Sequence, residues 1–355
     1  MKNLFLTIFL LSLSLLVKAQ APEGYYSSAF GKTERELKTA MKAIIEDHTA
    51  RTYANLWTDF QTTDRRADGR VWDMYSNCNF IFVTDQDTGT GGTAECQYYN
   101  REHSMPHSWF GGNVSPMYTD LFHLYPTDKY VNNRRGNSPF GAVNTPTQTF
   151  SNGGKLGQCY QCGNYSGAAF EPANQYKGDF ARTYFYMVTR YEDVVTSWYN
   201  NADARAMLNG TTYPAFQTWA INLLLKWHRE DPVSEKETDR NNTVFGIQYN
   251  RNPFIDFPEL AEYIWGTKMS ELFDPASNVE DEYLYALNVY IYGGALQIEN
   301  LYGGGLVSIY NVYGQLLSQT LTNAETLSIS LTGETIFIVS IIDSSGKVST
   351  HKLIK

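Results

Sequence analysis

The sequence predicts an α+β protein: a mostly helical domain over 20–276, followed by a small all-β sandwich over 277–355. Three patterns predict it. Apolar residues recur at helical spacing in four segments between 33 and 266. Two short runs in the same region, 80–83 and 95–100, read as strands. Beyond 277 the helical stripes stop, and short alternating strands separated by turn residues take over.

Taken in order, the first segment is not part of the fold. Lys2 precedes a nearly unbroken apolar run over 4–17, and Val17-Lys18-Ala19 offers a cut after Ala19. Residues 1–19 therefore read as a secretory signal peptide, too short for a membrane span, and the protein is expected outside the cell or on its surface. Thr33 with Glu36 forms a capping-box pattern. Leu37, Met41, Ile44, Ile45 and His48 follow at helical spacing, so a helix is expected over 33–48. Between the strands 80–83 and 95–100 lies turn chemistry, Asp-Gln-Asp-Thr-Gly-Thr-Gly-Gly. A helix from Asp179 carries Phe180, Tyr184, Met187 and Tyr191. One from Pro214 carries Phe216, Trp219, Leu223 and Trp227. Another starts near Pro258 and stops at Gly266. These stripes read as core faces and not as cofactor sites. In the tail, 287–292, 327–331 and 336–342 are strands, with turns at Tyr313-Gly314 and 345–347. The tail gathers no cluster of titratable groups, which makes it a separate, non-catalytic domain.

Twenty-six tyrosines and seven tryptophans exclude a disordered chain. The formal net charge is -9, and removing Lys2 and Lys18 with the signal takes it to about -11. So acidic a protein is a poor non-specific binder of polyanions unless positive charge is concentrated locally. Residues 98–140 supply such a stretch: Arg101, Lys129, Arg134 and Arg135 stand against Glu102, Asp120 and Asp128. Export favours disulfides, and four cysteines allow three pairings. Cys78–Cys96 with Cys159–Cys162 is preferred over a four-thiolate zinc site, because one Cys-x-x-Cys with two scattered partners is a poor zinc pattern.

Chemistry concentrates in one place. Three of the six histidines, His103, His107 and His123, fall within 21 residues, amid Glu102, Asn132, Arg134, Arg135 and Asn137. This set mixes a base, hard oxygen donors and guanidinium groups, the parts that phosphodiester hydrolysis needs. Histidine takes a proton from water near neutral pH. Glu102 with an amide such as Asn132 gives a hard divalent cation one anionic and one neutral ligand, leaving it positive toward phosphate. His103 then stays off the metal, with its second ring nitrogen held by a carbonyl. His107 reads as a packing or surface histidine, and His123, between Phe122 and Leu124, as either a supporting group or a direct participant. Two rival readings use the same residues. A zinc hydrolase would use the His103–His107 spacing, yet Ser104 follows the first histidine and Pro106 breaks the helix that such a pair needs. A secreted surface-binding or adhesion protein would keep the histidine cluster as structure.

At these residues the sequence resembles the bacterial endonuclease I family of extracellular and periplasmic nucleases, within the histidine–metal (ββα-metal) superfamily. The resemblance runs through 71–76 (Val-Trp-Asp-Met-Tyr-Ser), Glu102-His103, 126–128 (Pro-Thr-Asp) and 131–137 (Val-Asn-Asn-Arg-Arg-Gly-Asn). It continues through 170–172, 177–179, 227–234 and 250–256. It implies an embedded ββα-metal motif, His103 as general base, Glu102 and Asn132 as metal ligands, and Arg135 as a catalytic, phosphate-side arginine. His123, Arg134 and Asn137 would support these or touch phosphate. It further implies Mg2+, or Ca2+ or Mn2+, and non-specific cleavage of DNA, in many members also RNA. One departure stands out: where related sequences often read Asp-Leu-His, this chain has Asp120-Leu121-Phe122, with His123 one place later. The tail, through 306–317, 336–342 and 346–355, resembles a type IX secretion sorting domain. That resemblance implies recognition by outer-membrane secretion machinery and removal of the tail; the alternative is a carbohydrate- or surface-binding β module.

Overall fold

The first helical stripe folds as α1, Glu34–Ile45, and buries Leu37, Met41 and Ile45 completely. In this computed structural model the described residues are 21–274, 287–301, 303–343 and 348–355. The expected signal, 1–19, and the turn at 345–347 lie outside them. α1 departs from expectation at both ends. Thr33 makes no side-chain cap bond, so the capping box is not formed. The helix stops before His48, because the chain is drawn away by tertiary partners. Asn250 Nδ2 donates to the Ile45 carbonyl at 3.1 Å, and Thr49 N donates to the Gln248 carbonyl at 2.9 Å. His48 Nδ1 instead accepts from Arg190 Nε at 3.2 Å.

After α2, Leu56–Thr63, the run 80–83 is not a strand. The Asp85 carboxylate captures the Ile81 N–H at 2.7 Å and folds the segment into a tight loop, with Val83 at positive φ. The next strand begins later than expected. β1 is Tyr99–His103, antiparallel to β2, Leu124–Asp128, and α3, Lys129–Arg135, follows β2 directly. A three-stranded antiparallel sheet comes next: β3 Pro146–Thr149, β4 Lys155–Gln158 and β5 Ala168–Glu171.

The core is organised on α4, Lys177–Arg190, which is buried on every side except Lys177, so its apolar stripe understates it. It packs on α1 and α6. Between lies α5, Val195–Trp198. α6, Thr218–Glu230, starts four residues after Pro214, because residues 215–217 form an irregular entry with Ala215 at positive φ. Its buried face is Ala220, Ile221, Leu224, Leu225, Trp227 and His228; Trp219 and Leu223 sit at the margin.

α7, Glu235–Gln248, was not apparent from hydrophobic periodicity, because its buried face is largely polar: Glu237, Arg240, Asn241, Val244 and Gln248. Its Ser234–Glu237 capping box is formed. The face is satisfied by fork-shaped pairs, Arg182 with Glu237 at 2.6 and 2.8 Å and Arg240 with Asp64 at 2.8 and 3.2 Å. α8, Pro253–Asp256, and α9, Leu260–Trp265, complete this unit, and α9 ends at Gly266 as expected.

The chain divides into two compact units, the first ending at Phe273 and the second beginning at Asp274; the anticipated boundary at 276/277 falls among residues outside those described. The second unit is all β. β6 Asn288–Tyr292, β7 Ala295–Glu299 and β10 Leu327–Ser330 form one antiparallel sheet in the order β10-β7-β6. β8 Gly305–Tyr310, β9 Leu316–Thr322, β11 Ile336–Asp343 and β12 Val348–Ile354 form another, in the order β12-β11-β8-β9. Leu296 and Ile298 from the first sheet share one core with Val307, Ile309, Phe337, Val339 and Ile341 from the second. That is a two-sheet sandwich. The whole chain is thus α+β.

Both disulfides take the preferred pairing, Cys78–Cys96 and Cys159–Cys162. No helix among the described residues is long and apolar enough to cross a membrane.

Candidate active site

The β1–β2 pair and α3 are locked together by Asp128. This residue ends β2 and caps α3, its Oδ1 accepting the Tyr130 and Val131 N–H groups at 2.8 and 3.2 Å. Its Oδ2 accepts the Cys96 N–H at 2.7 Å. Asn132, on the second turn of α3, is thereby brought beside β1, where its Nδ2 donates to Asn100 Oδ1 at 2.9 Å. α3 ends at Gly136, whose φ of 55° with ψ of -131° is a conformation suited to glycine.

The result is a cleft of about 310 Å³ lined by Glu102, His103, Asn132 and Asn137, with Asn100, Arg101, His107 and Tyr118 among its other walls. His103 is only 8% exposed. Its Nε2 lies 3.0 Å from the Tyr118 carbonyl, so Nε2 carries the proton and Nδ1 is left as the basic nitrogen. Burial, then the adjacent His123, hold this imidazole well below the usual histidine range. A neutral ring is the form that accepts a proton.

Glu102 is 3% exposed. Tyr75 OH donates to its Oε1 at 2.8 Å, and Arg135 Nη1 donates to the same oxygen. Burial pushes its carboxyl upward, and Arg135 and Tyr75 oppose that. Among the described residues Oε2 has no protein hydrogen bond, nor has Asn132 Oδ1. One carboxylate oxygen and one amide oxygen on the walls of a single cleft are a donor set that suits a hard divalent cation.

Arg135 is not in the cleft. It is 1% exposed, stacks 4.2 Å over the Phe140 ring, and donates to Glu102 Oε1, Tyr75 OH and the Ser104 carbonyl, the last two at 3.0 and 2.6 Å. Arg134 is exposed and donates to Gln148 Oε1 at 2.9 Å, away from the cleft lining. His123 is fully buried behind His103, with ring centroids 5.4 Å apart and Nε2 2.7 Å from the Met117 carbonyl. Asp120, before it, is buried and accepts from Tyr186 and Tyr191 hydroxyls, both at 2.8 Å. Phe122 enters the core against Tyr186.

Several wall residues were not assigned to the site by sequence, Arg101, His107, Tyr53, Asn100 and Tyr118 among them. His107 lines the cleft with its ring 5.0 Å from that of His103. It opens a 3-10 turn, His107–Phe110, after Pro106, so the pair does not share a helix and has no helical zinc geometry. Among the described residues the one close grouping of three histidine, cysteine or acidic ligand atoms is Cys78, Cys96 and Asp128, whose sulfurs are disulfide-bonded. Tyr53 and Tyr118 had no sequence signal of their own, and Asn100 closed the expected strand 95–100 without a role assigned to it.

The family described as Endonuclease I matches residues 33–259. The chain belongs to the endonuclease I family. That membership makes it a nuclease and removes the reading as an adhesion protein. Among its relatives is an extracellular ribonuclease of Bacillus amyloliquefaciens, 34% identical over 261 residues, 72% of this chain and 82% of the relative. An extracellular ribonuclease of Bacillus subtilis (strain 168) is 34% identical over 246 residues, 68% and 78% of the two chains. An Endonuclease-1 of Buchnera aphidicola subsp. Baizongia pistaciae (strain Bp) is 27% identical over 143 residues, 40% and 48%. The endonuclease I match spans the cleft, both strands and α3.

Proposed function

We propose that this endonuclease I-family chain is a secreted, metal-dependent endonuclease that hydrolyses phosphodiester bonds of DNA and RNA without sequence specificity. The observation that carries this reading is the convergence of His103, Glu102 and Asn132 on one cleft, built on two antiparallel strands and a helix in the manner of a ββα-metal motif. His103 accepts the proton of the attacking water at Nδ1, while the Tyr118 carbonyl keeps Nε2–H in place. Glu102 Oε2 and Asn132 Oδ1 are the atoms that would hold the cation. A bound divalent cation supplies positive charge to the phosphate and to the leaving oxygen; Mg2+ leads, with Ca2+ and Mn2+ as alternatives. Arg135 acts behind Glu102: its ion pair fixes which carboxylate oxygen remains available. RNA enters through the extracellular ribonucleases among the relatives.

The reading is tested by chelation. Cleavage of plasmid DNA and of RNA should stop with a chelator and return with Mg2+, and Glu102→Gln should need a higher Mg2+ concentration for half-maximal rate. Activity that survives exhaustive chelation, or a Glu102→Gln protein with an unaltered Mg2+ titration, removes the metal site from these residues.

The β sandwich after the nuclease is read as a sorting tail for outer-membrane secretion machinery. Deleting 277–355 should leave an active nuclease in the periplasm of a host with type IX machinery. Equal release of the truncated and full chains into the medium would rule that out.

A further inference from the structure

We propose that Arg101 is the cleft's phosphate-binding guanidinium and a further catalytic residue of this nuclease, an inference that rests on the hydrolytic reading above. Among the described residues lining the cleft it is the one permanently charged cation, Arg134 and Arg135 both lying outside that lining. Alternation along β1 puts Arg101 and His103 on the same face of the strand, two residues and about 7 Å apart along the backbone. The donor that would neutralise phosphate charge thus neighbours the base that would activate water.

The guanidinium is held ready. It lies 3.5 Å over the Tyr53 ring and 4.2 Å from the Trp57 ring, a double cation–π contact. Tyr53 stacks on Tyr118 with centroids 4.6 Å apart, and Tyr118 stacks on His103 at 4.9 Å. Arg101 and His103 are therefore linked through one aromatic stack, whose Tyr118 also supplies the carbonyl that orients His103. Such fixed placement removes reorganisation from the charge-stabilising step.

Its donors are largely unspent. A guanidinium has five N–H donors. Nη1 gives one to the Tyr53 carbonyl at 2.7 Å, and Nε is buried without a partner. No carboxylate pairs with Arg101 among the described residues; nearby Asp87 is engaged by Lys129 Nζ at 2.7 Å. A half-buried cation without an acid, in a cleft that also offers a base and two hard oxygens, is matched to an anionic oxygen of the substrate.

The experiment compares Arg101→Ala, Arg101→Lys and His103→Ala on plasmid DNA and RNA with Mg2+, alongside thermal unfolding of each. Arg101→Ala should lose about 100- to 1,000-fold in kcat, the usual cost of one preorganised donor to a developing charge. Arg101→Lys should recover part of it, because a point charge replaces a two-pronged donor. Millimolar guanidinium ion should accelerate Arg101→Ala and leave wild type and His103→Ala unchanged. If Arg101→Ala stays within threefold of wild type while His103→Ala is inactive, the Arg101 role is overturned and the nuclease site stands. If both variants remain active, the Arg101 role and the assignment of His103 as the base are both overturned. Activity lost together with a lowered melting temperature, and no response to guanidinium, assigns Arg101 to holding the aromatic stack and overturns its contact with phosphate.

Discussion

Replacing His103 with alanine should lower the rate of nucleic acid cleavage by about 100- to 10,000-fold at saturating Mg2+, the range expected for loss of a general base. The magnitude follows from how singly the residue is placed. Its Nε2 is committed to the Tyr118 carbonyl, so Nδ1 is the nitrogen left for water. Burial keeps the ring neutral and ready to accept a proton. His107 lines the same cleft with its ring 5.0 Å away, but among the described residues no carbonyl partner fixes its tautomer, so it does not substitute for His103. The Mg2+ titration should be unchanged in His103→Ala, because His103 is not among the metal's donors. A titration shifted along with the rate would reassign this imidazole to the metal, and near-normal cleavage would take the base out of the reading.

Arg135→Met should cost about 3–5 kcal/mol of stability, measured by denaturant unfolding at neutral pH, because it strands a carboxylate in the interior. Glu102 and Arg135 are 3% and 1% exposed, so each charge is largely shielded from water apart from the cleft side of Glu102. Nuclease activity should fall as well, since Glu102 loses one of the two partners that hold Oε1. The double variant Glu102→Leu/Arg135→Met should recover most of the stability, by removing the uncompensated charge, and none of the activity. This outcome separates positioning from direct phosphate contact. A guanidinium that touched substrate would show lost activity at nearly unchanged stability, and that result would return Arg135 to the role the family resemblance implies.

Arg135 and Arg101 show where sequence reading stops. Both were visible as basic residues in a dense run of catalytic types. Assigning a phosphate role between them required knowing which is exposed to the cleft, and that is set by Tyr53, Trp57, Tyr75 and Phe140, none of them adjacent in sequence. The strand placement mattered too. A strand over 95–100 leaves Arg101, Glu102 and His103 beyond its end, where the alternation that pairs Arg101 with His103 does not show. α7 was hidden for a related reason: its buried face is Glu237, Arg240 and Asn241, which hydrophobic periodicity scores as surface, though the Ser234–Glu237 box marked its start. His48 was assigned to the stripe of α1 on spacing alone, and Arg190 and the 248–250 segment took it elsewhere.

What the amino-acid order determined alone was chemical content and local rhythm. It assembled a base, hard oxygens and guanidinium groups within 101–137, paired the cysteines as the structure has them, and separated a region with helical stripes from a β tail. Those are properties of composition and short-range spacing, which backbone geometry reads within a few residues. The tertiary structure decided which charges are spent inside and which face the cleft. Glu102 and Arg135 neutralise each other across 33 residues of chain, and Arg101 is braced by aromatics more than 40 residues upstream. The free energy of a buried charge depends on its partners in space, so no local pattern could have told the supporting arginine from the one left facing the cleft.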